Sequence, residues 1–411
     1  MSTGGNVRYL PRVADAALTD ALKRAGAVLI EGPKACGKTA TALQVAQSVL
    51  RVNTDPGVPA AMEVEPSLLL EGSTPRLIDE WQEQPALWDV VRNAVDERQA
   101  KGQFILTGST APSELVARHS GAGRFARLVM STMTLQESGH SSEEVSLRAV
   151  IAGESPRAAD SGLRFRELME RIAVGGWPGN LGLSAEQSLA NNRDYLRTVA
   201  EIDISTPDGK RRDPIRVLAL LHSLARAVGT EMTVATMATD ANLTRDTVMD
   251  YLDALGRIFI HVDQPAWALQ LRSRTPLRKA PKRHFVDPAL AVAALDRPLE
   301  LLLEDLEYAG QLFESFVIHE LRCLLGNNNI AHARLQSGLE VDAIFDVGET
   351  TVICEAKLGH SQSVVDSAAS NLLAFREHLP AEPIAIVFTG GGLSYRRPDG
   401  VNVISISALK E

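Results

Sequence analysis

The run AVLIEGPKACGKT constrains this chain more than any other stretch. Ala27 to Ile30 form a short apolar run suited to a buried strand. Gly32, Pro33, Lys34, Ala35, Cys36, Gly37, Lys38 and Thr39 then fit G-x-x-x-x-G-K-[ST] at every fixed position, and a helical pattern follows. Strand, glycine loop and helix in that order make a phosphate cradle. Glycines let backbone N–H groups turn inward, the helix start adds its positive end, Lys38 reaches the β and γ phosphates, and Thr39 ligates magnesium.

Two more apolar runs, Arg76 to Ile78 and Phe104 to Thr107, recur between helix-length segments, the alternation of a parallel sheet covered by helices. RLIDEW puts Asp79 and Glu80 at the end of the first, where Asp79 can hold the magnesium shell and Glu80 can polarise an attacking water. FILTGST runs to Ser109, which can sense the γ-phosphate or simply belong to a Ser/Thr-rich turn.

A length of 411 residues accommodates two to four domains, and 45% hydrophobic with 23% charged residues is the composition of a folded soluble chain. The longest run without Asp, Glu, Lys or Arg, Ile172 to Ala185, contains consecutive glycines and a proline, so no membrane span is expected. The N-terminus lacks the apolar core of a signal peptide, and Cys36, Cys323 and Cys354 form no ligand-like cluster. These features predict a cytoplasmic chain with reduced thiols.

The small, polar stretch from Ser138 to Gly162 reads as an exposed connection and predicts domains at 1–145, 160–300 and 301–411. The middle one is helical, and TVATMATDANLTRDTVMDYLDALGRIFIHV suggests a winged helix with Val248, Leu252 and Leu255 inward. Asp246, Asp250 and Asp253 share one face of its second helix, with Arg245 and Arg257 at the ends. That face repels phosphate, which favours a packing module over a sequence reader. The net charge of −9 conceals a basic region: residues 205–283 carry 13 Lys/Arg against 8 Asp/Glu, and the segment 271–284 has six basic residues and no acid. Nucleic-acid contact is expected in that segment, the plain alternative being a solvated loop or a partner for acidic neighbours.

After the amphipathic LFESFVIHELRCLL, the stretch EVDAIFDVGETTVICEAK forms two alternating runs around a turn. Alternation puts Glu355 and Lys357 on one face, and a hairpin brings Asp342 beside them. Asp342 and Glu355 could then hold magnesium, with Glu314 as a further ligand and Lys357 orienting water or offsetting phosphate charge. A cross-paired charge pattern on an exposed face is the plain alternative, and His360 reads as a surface residue.

The order of phosphate loop, acidic strand end and polar sensor strand resembles the AAA-type ATPases of bacteria and archaea. GAGR (121–124), LVMSTMTLQE, GGWP (175–178), LFESF and EVD…EAK extend the likeness to an uncharacterised family that joins such an ATPase to a C-terminal domain of unknown function with a nuclease-like core. Asp342 followed by Glu355-x-Lys357 resembles the PD-(D/E)XK nucleases, without a proline before the aspartate. The resemblance implies an α/β chain: a P-loop NTPase domain, a helical middle domain with a winged-helix-like segment, and a restriction-endonuclease-like α/β domain. It implies ATP and Mg2+ as cofactors, and an arginine that completes the site from a neighbouring subunit of a homo-oligomer, Arg124 first and Arg127 second. Gly179 stands where relatives often carry an acid after GGWP, and Trp177 is expected to pack on a neighbouring helix. The implied function is ATP hydrolysis controlling a nuclease-like domain that acts on or binds nucleic acid. The alternative is a nucleotide-dependent switch for a protein or nucleic-acid partner, with that domain as an inactive docking surface.

Overall fold

The computed structural model describes residues 9–110, 121–267, 280–326 and 329–411. The chain divides into two compact units, Met1–Ser131 and Thr132–Glu411.

The first unit runs α1 (Val13–Arg24), β1 (Ala27–Glu31), α2 (Lys38–Leu43), β2 (Ser48–Arg51), α3 (Val58–Val64), β3 (Arg76–Asp79), α4 (Leu87–Arg98), β4 (Phe104–Gly108) and β5 (Phe125–Val129). Its sheet has the order β2-β3-β4-β1-β5, and every neighbouring pair is parallel. β1 and β4 are buried along their whole length, as the unbroken apolar runs require of strands covered on both faces. Leu29, Ile78 and Leu106 pack with Trp81 and Trp88 on one face; Val28, Leu77 and Ile105 pack with Leu18 on the other. Because the strands are parallel, the carboxyl ends of β1, β3 and β4 share one edge, with Glu31 level with Gly108 and Asp79 level with Thr107.

The second unit, Thr132–Glu411, contains both the middle and the C-terminal stretches. β6 (Val145–Ser146) pairs in parallel with β15 (Leu409–Lys410), at the far end of the chain. Ser141 Oγ donates to Leu409 O at 2.6 Å, Ser142 N–H to Ser407 O at 2.8 Å, and Ala158 bridges Ser394. The stretch 138–162 is thus a largely exposed connection that touches the C-terminal strands at these points. Ser141 satisfies a strand carbonyl and Ser146 Oγ donates to Glu411 O at 2.8 Å, uses that leave composition unchanged. Residues 163–300 and 301–411 likewise fall within this one unit.

Helices α5 (Leu147–Ile151), α6 (Phe165–Val174), α7 (Ala185–Glu201), α8 (Pro214–Arg226), α9 (Val234–Asp240) and α10 (Arg245–Arg257) lead into an antiparallel ribbon, β7 (His261–Gln264) and β8 (Lys282–Phe285). Val248, Leu252 and Leu255 are buried, as their spacing on α10 predicts. Then come α11 (Pro288–Leu295), α12 (Leu299–Glu304) and the long α13 (Leu306–Leu324). The strands β9 (Ala331–Arg334), β10 (Glu340–Val347), β11 (Thr350–Lys357), β12 (Ile384–Thr389), β13 (Tyr395–Arg396) and β14 (Asn402–Ser405) form a sheet ordered β13-β14-β12-β11-β10-β9. β9, β10 and β11 are antiparallel, β11, β12 and β14 parallel, and α14 (Gln362–Arg376) makes the crossover. No helix of the described residues is long and apolar enough to cross a membrane.

In the GGWP turn, Trp177 is buried with its ring 5.1 Å from that of Tyr195 on α7. Gly176 donates its N–H to Asp287 at 2.8 Å and accepts from Met133 N–H at 2.7 Å. A Cβ at Gly176 would lie 2.1 Å from Met133 O and 2.5 Å from Met133 N, both backbone atoms that cannot give way cheaply. Gly176→Ala is therefore expected to destabilise the chain by about 1–3 kcal/mol, as overpacking does. Urea denaturation beside the wild type checks this, and an unchanged midpoint would contradict the close approach.

Candidate functional site

The phosphate loop leaves β1 with Gly32 at φ 151°, Ala35 at 61° and Gly37 at 107°, and α2 starts at Lys38. Gly32 is obligatory here, since a Cβ would meet Met130 O at 2.2 Å. Lys38 is buried, its Nζ donating to Gly32 O (2.9 Å) and Pro33 O (2.8 Å), which holds the ammonium over the loop. Arg12, which carries no sequence signal, braces the loop from behind: one Nη donates to Cys36 O at 2.7 Å and the other to Ser131 O at 2.9 Å.

Asp79 ends β3 at the same edge, where Oδ1 accepts from Thr39 Oγ1 (2.7 Å) and Thr107 Oγ1 (2.6 Å). Glu80 follows in the left-handed region, φ 56°, and its carboxylate accepts from Gln82 Nε2. Such a conformation in a non-glycine residue costs of order 1 kcal/mol and often marks a functional position. Ser109, 3% exposed, has no hydrogen-bond partner for Oγ, and neither does the buried indole N–H of Trp81 nor Gln82 Oε1. Two of these orphans, Trp81 Nε1 and Gln82 Oε1, lie within 3 Å of the place a Cβ on Gly108 would take. Unsatisfied buried polar atoms clustered at a strand-end edge fit a site that takes a polar ligand or water. The donor set also suits Mg2+, which keeps waters and takes one or two side-chain oxygens plus phosphate. Thr39 and Asp79 are already in mutual contact.

The two arginines differ. Arg124 Nε holds Asp96 at 2.8 and 3.0 Å, and its carbonyl accepts from Ala27 N–H, so it stands at the amino end of β1, roughly 13 Å of strand from its own loop. Arg127 Nε lies 3.1 Å from Oε2 of the buried Glu31, the last residue of β1. Burial raises the Glu31 pKa and Arg127 opposes the rise.

In the second unit, the predicted C-terminal residues converge. Lys357 Nζ lies 2.5 Å from Glu355 Oε2 and 3.8 Å from Asp342 Oδ2, an atom that also accepts from Ala356 N–H at 2.9 Å. Glu314, on α13, meets Lys282 Nζ at 2.6 Å, and the same ammonium lies 3.6 Å from Asp342 Oδ1. Burial, reinforced by Asp342, raises the Glu314 carboxyl to about 7 and the Glu355 carboxyl to about 8. Burial works against the Lys282 and Lys357 ammoniums, but the facing carboxylates raise both. Asn371 on α14 donates to Glu355 Oε1 at 2.5 Å, and Gln264 on β7 donates to Asp342 O at 2.8 Å. Lys282, Asn371 and Gln264 were not singled out by pattern. Among the described residues no group of three or more His, Cys, Asp or Glu side chains is arranged to hold a metal ion. Ammonium groups stand among the carboxylates instead.

The basic segment also changes meaning. Residues 271–279, with Arg278 and Lys279, lie outside the described residues. The described end turns inward: Lys282 joins the charge cluster, Arg283 lies 3.5 Å from Asp263, and His284 is buried between Ser315 and Gln264. On α10, Asp250 is held by Arg212 at 2.9 Å and Asp253 by Arg257 at 2.9 Å. His360 is exposed.

Residues 24–139 match the AAA domain, while 165–300 and 309–409 match two domains of unknown function, DUF8612 and DUF4143. The first unit is thus similar to the AAA domain over most of its length. Uncharacterised proteins of Mycobacterium bovis and Mycobacterium tuberculosis are each 27% identical over 406 residues, which cover 97% of this chain and 83% of theirs. A solved DNA replication initiation factor, 15% identical, covers 59% of this chain and 86% of its own at a TM-score of 0.23, too low to carry an argument.

The raised carboxyls have a consequence for stability. Glu314 and Glu355 keep protons in the folded chain at pH values where the unfolded chain, with carboxyls near 4.5, has lost them. The folded state binds more protons, so stability should fall as pH rises from about 5 to 8. Glu355→Gln should make that fall shallower in urea titrations across the range; equal slopes would contradict the burial of this carboxyl as a proton-holding group.

Proposed function

We propose that the chain binds and hydrolyses ATP with magnesium at the edge formed by Gly32–Thr39, Asp79, Glu80 and Ser109. The observation that carries this reading is the Thr39–Asp79 contact beside the loop, flanked by the orphaned Ser109 Oγ and Trp81 Nε1. Lys38 would leave the loop carbonyls for the β and γ phosphates, with Thr39 and Asp79 holding the ion. Bound magnesium supplies charge neutralisation at the transferred phosphoryl group. Glu80, tethered by Gln82, would accept a proton from the attacking water, and Ser109 would donate to the γ-phosphate. Arg124 stands far from its own loop, which favours its acting on another subunit's nucleotide in a homo-oligomer.

We further propose that nucleotide state governs a C-terminal domain with a nuclease-like core. Its support is the order of α13, the antiparallel β9-β10-β11, α14 and the parallel β12, with Glu314, Asp342, Glu355 and Lys357 drawn together. The ammonium partners of all three acids favour the second reading, a nucleotide-dependent switch whose nuclease-like domain docks a protein or nucleic-acid partner without cutting. Trp267 N–H donates to His332 O at 2.7 Å beside β9, and Lys282 lies in the charge cluster. Helix, turn, helix and ribbon over α9, α10, β7 and β8 support a winged-helix packing module, with Asp250 and Asp253 of α10 held by arginines.

Lys38→Ala should lower ATP turnover by about 10²–10³-fold, the scale of a lost charge-stabilising donor, and weaken nucleotide binding. Glu80→Gln should slow turnover by about 10²–10⁴-fold while nucleotide still binds. Steady-state ATPase and fluorescent-nucleotide titration check both, and wild-type turnover in Lys38→Ala would refute the site. DNA cleavage by the wild type beside Lys357→Ala, with magnesium or manganese and with or without ATP, separates the C-terminal readings. Cutting lost in the variant supports a nuclease, and no cutting supports the binding domain.

A further inference from the structure

We propose that Lys282 is the resident cation of the C-terminal carboxylate cluster and that its ammonium keeps Glu314, Asp342 and Glu355 from gathering around a divalent ion. This rests on the reading of that cluster as the functional site of the C-terminal domain.

The two lysines divide the acids between them. Lys357 holds Glu355 at 2.5 Å and faces Asp342 Oδ2 at 3.8 Å; Lys282 holds Glu314 at 2.6 Å and faces Asp342 Oδ1 at 3.6 Å. Asp342 is thus shared, one oxygen toward each ammonium. Magnesium demands about six oxygens at roughly 2.1 Å in octahedral array, and it cannot assemble them while an ammonium stands between Glu314 and Asp342. Charge argues the same way. Once all three acids are ionised, the two ammoniums leave the cluster with one negative charge, whereas removal of Lys282 leaves it with two.

Lys282 is also the less free of the two. Its side chain is 12% exposed against 38% for Lys357, which can swing outward. Its strand is fixed to the elements that carry the acids: His284, two residues on, meets Ser315 Oγ beside Glu314 and Gln264 Oε1 on β7, and Gln264 donates to Asp342 O. Lys282 lies 32 residues before Glu314, outside the C-terminal helix and sheet, so the β7–β8 ribbon delivers this charge.

The test is Mn2+ uptake by the full chain, stripped of metal and free of nucleotide, read as loss of the free-ion paramagnetic signal. Wild type and Lys282→Arg should take up no ion that depends on Asp342. Lys282→Met and Lys282→Gln should each take up one, at least about tenfold more tightly than wild type, and lose it when Asp342→Asn is added. Asp342-dependent binding by the wild type as tight as in the neutral variants would overturn the proposal. So would folded neutral variants, judged by circular dichroism, that bind no better than wild type. Because uptake is read rather than cleavage, a chain that cuts nothing still tests Lys282, and the nuclease reading falls or stands separately.

Discussion

A carboxylate taken out of water must be given donors, and how it is given them decides what it can still do. Asp79 and Asp342 are both buried at the ends or seams of sheets, and they are solvated in opposite ways. Asp79 receives hydroxyls from Thr39 and Thr107, neutral donors that leave its charge uncompensated. Asp342 receives one backbone N–H and stands between two ammoniums, so its charge is cancelled from both sides. The first is the environment of a group that still attracts a cation; the second is that of a group already supplied with one.

The surrounding architecture follows from those requirements. A parallel sheet brings strand ends with different sequence neighbours to one edge, so the loop after β1, the acid ending β3 and the serine after β4 meet without long connections. In the second unit the antiparallel β10–β11 pairing, with Ala343 opposite Cys354, sets Asp342 beside Glu355. The charge of α13 then arrives from the side and needs its own partner, which the ribbon provides.

What the sequence made legible was chemistry bound to a fixed local geometry. The phosphate loop can be read because each glycine answers a backbone demand, and Gly32 does so against Met130. Glu355 and Lys357 can be read because strands have a period of two. Lys282 could not be read, since a basic run looks the same whether its members face solvent or a buried glutamate. The strand contact of Ser141 was hidden for a related reason: donors to water and donors to a strand edge are the same residues. Arg12, bracing Cys36 and Ser131 from separate parts of the chain, left no local pattern at all.

The acidic face of α10 gains a different sense from this. Arg212, buried between Asp208 and Asp250, ties that face to the preceding turn, so the helix serves as a fixed base rather than a probe for phosphate. From that base the chain passes through Ile260, whose N–H is held by Leu255 O and whose carbonyl accepts from Val286 N–H, into the ribbon. The ribbon then carries the paired Gln264 and Lys282 to Asp342, one to its backbone carbonyl and the other to its carboxylate. Any motion that withdrew β8 would strip Glu314 of its ion-pair partner inside the protein, where an unpaired carboxylate costs several kcal/mol.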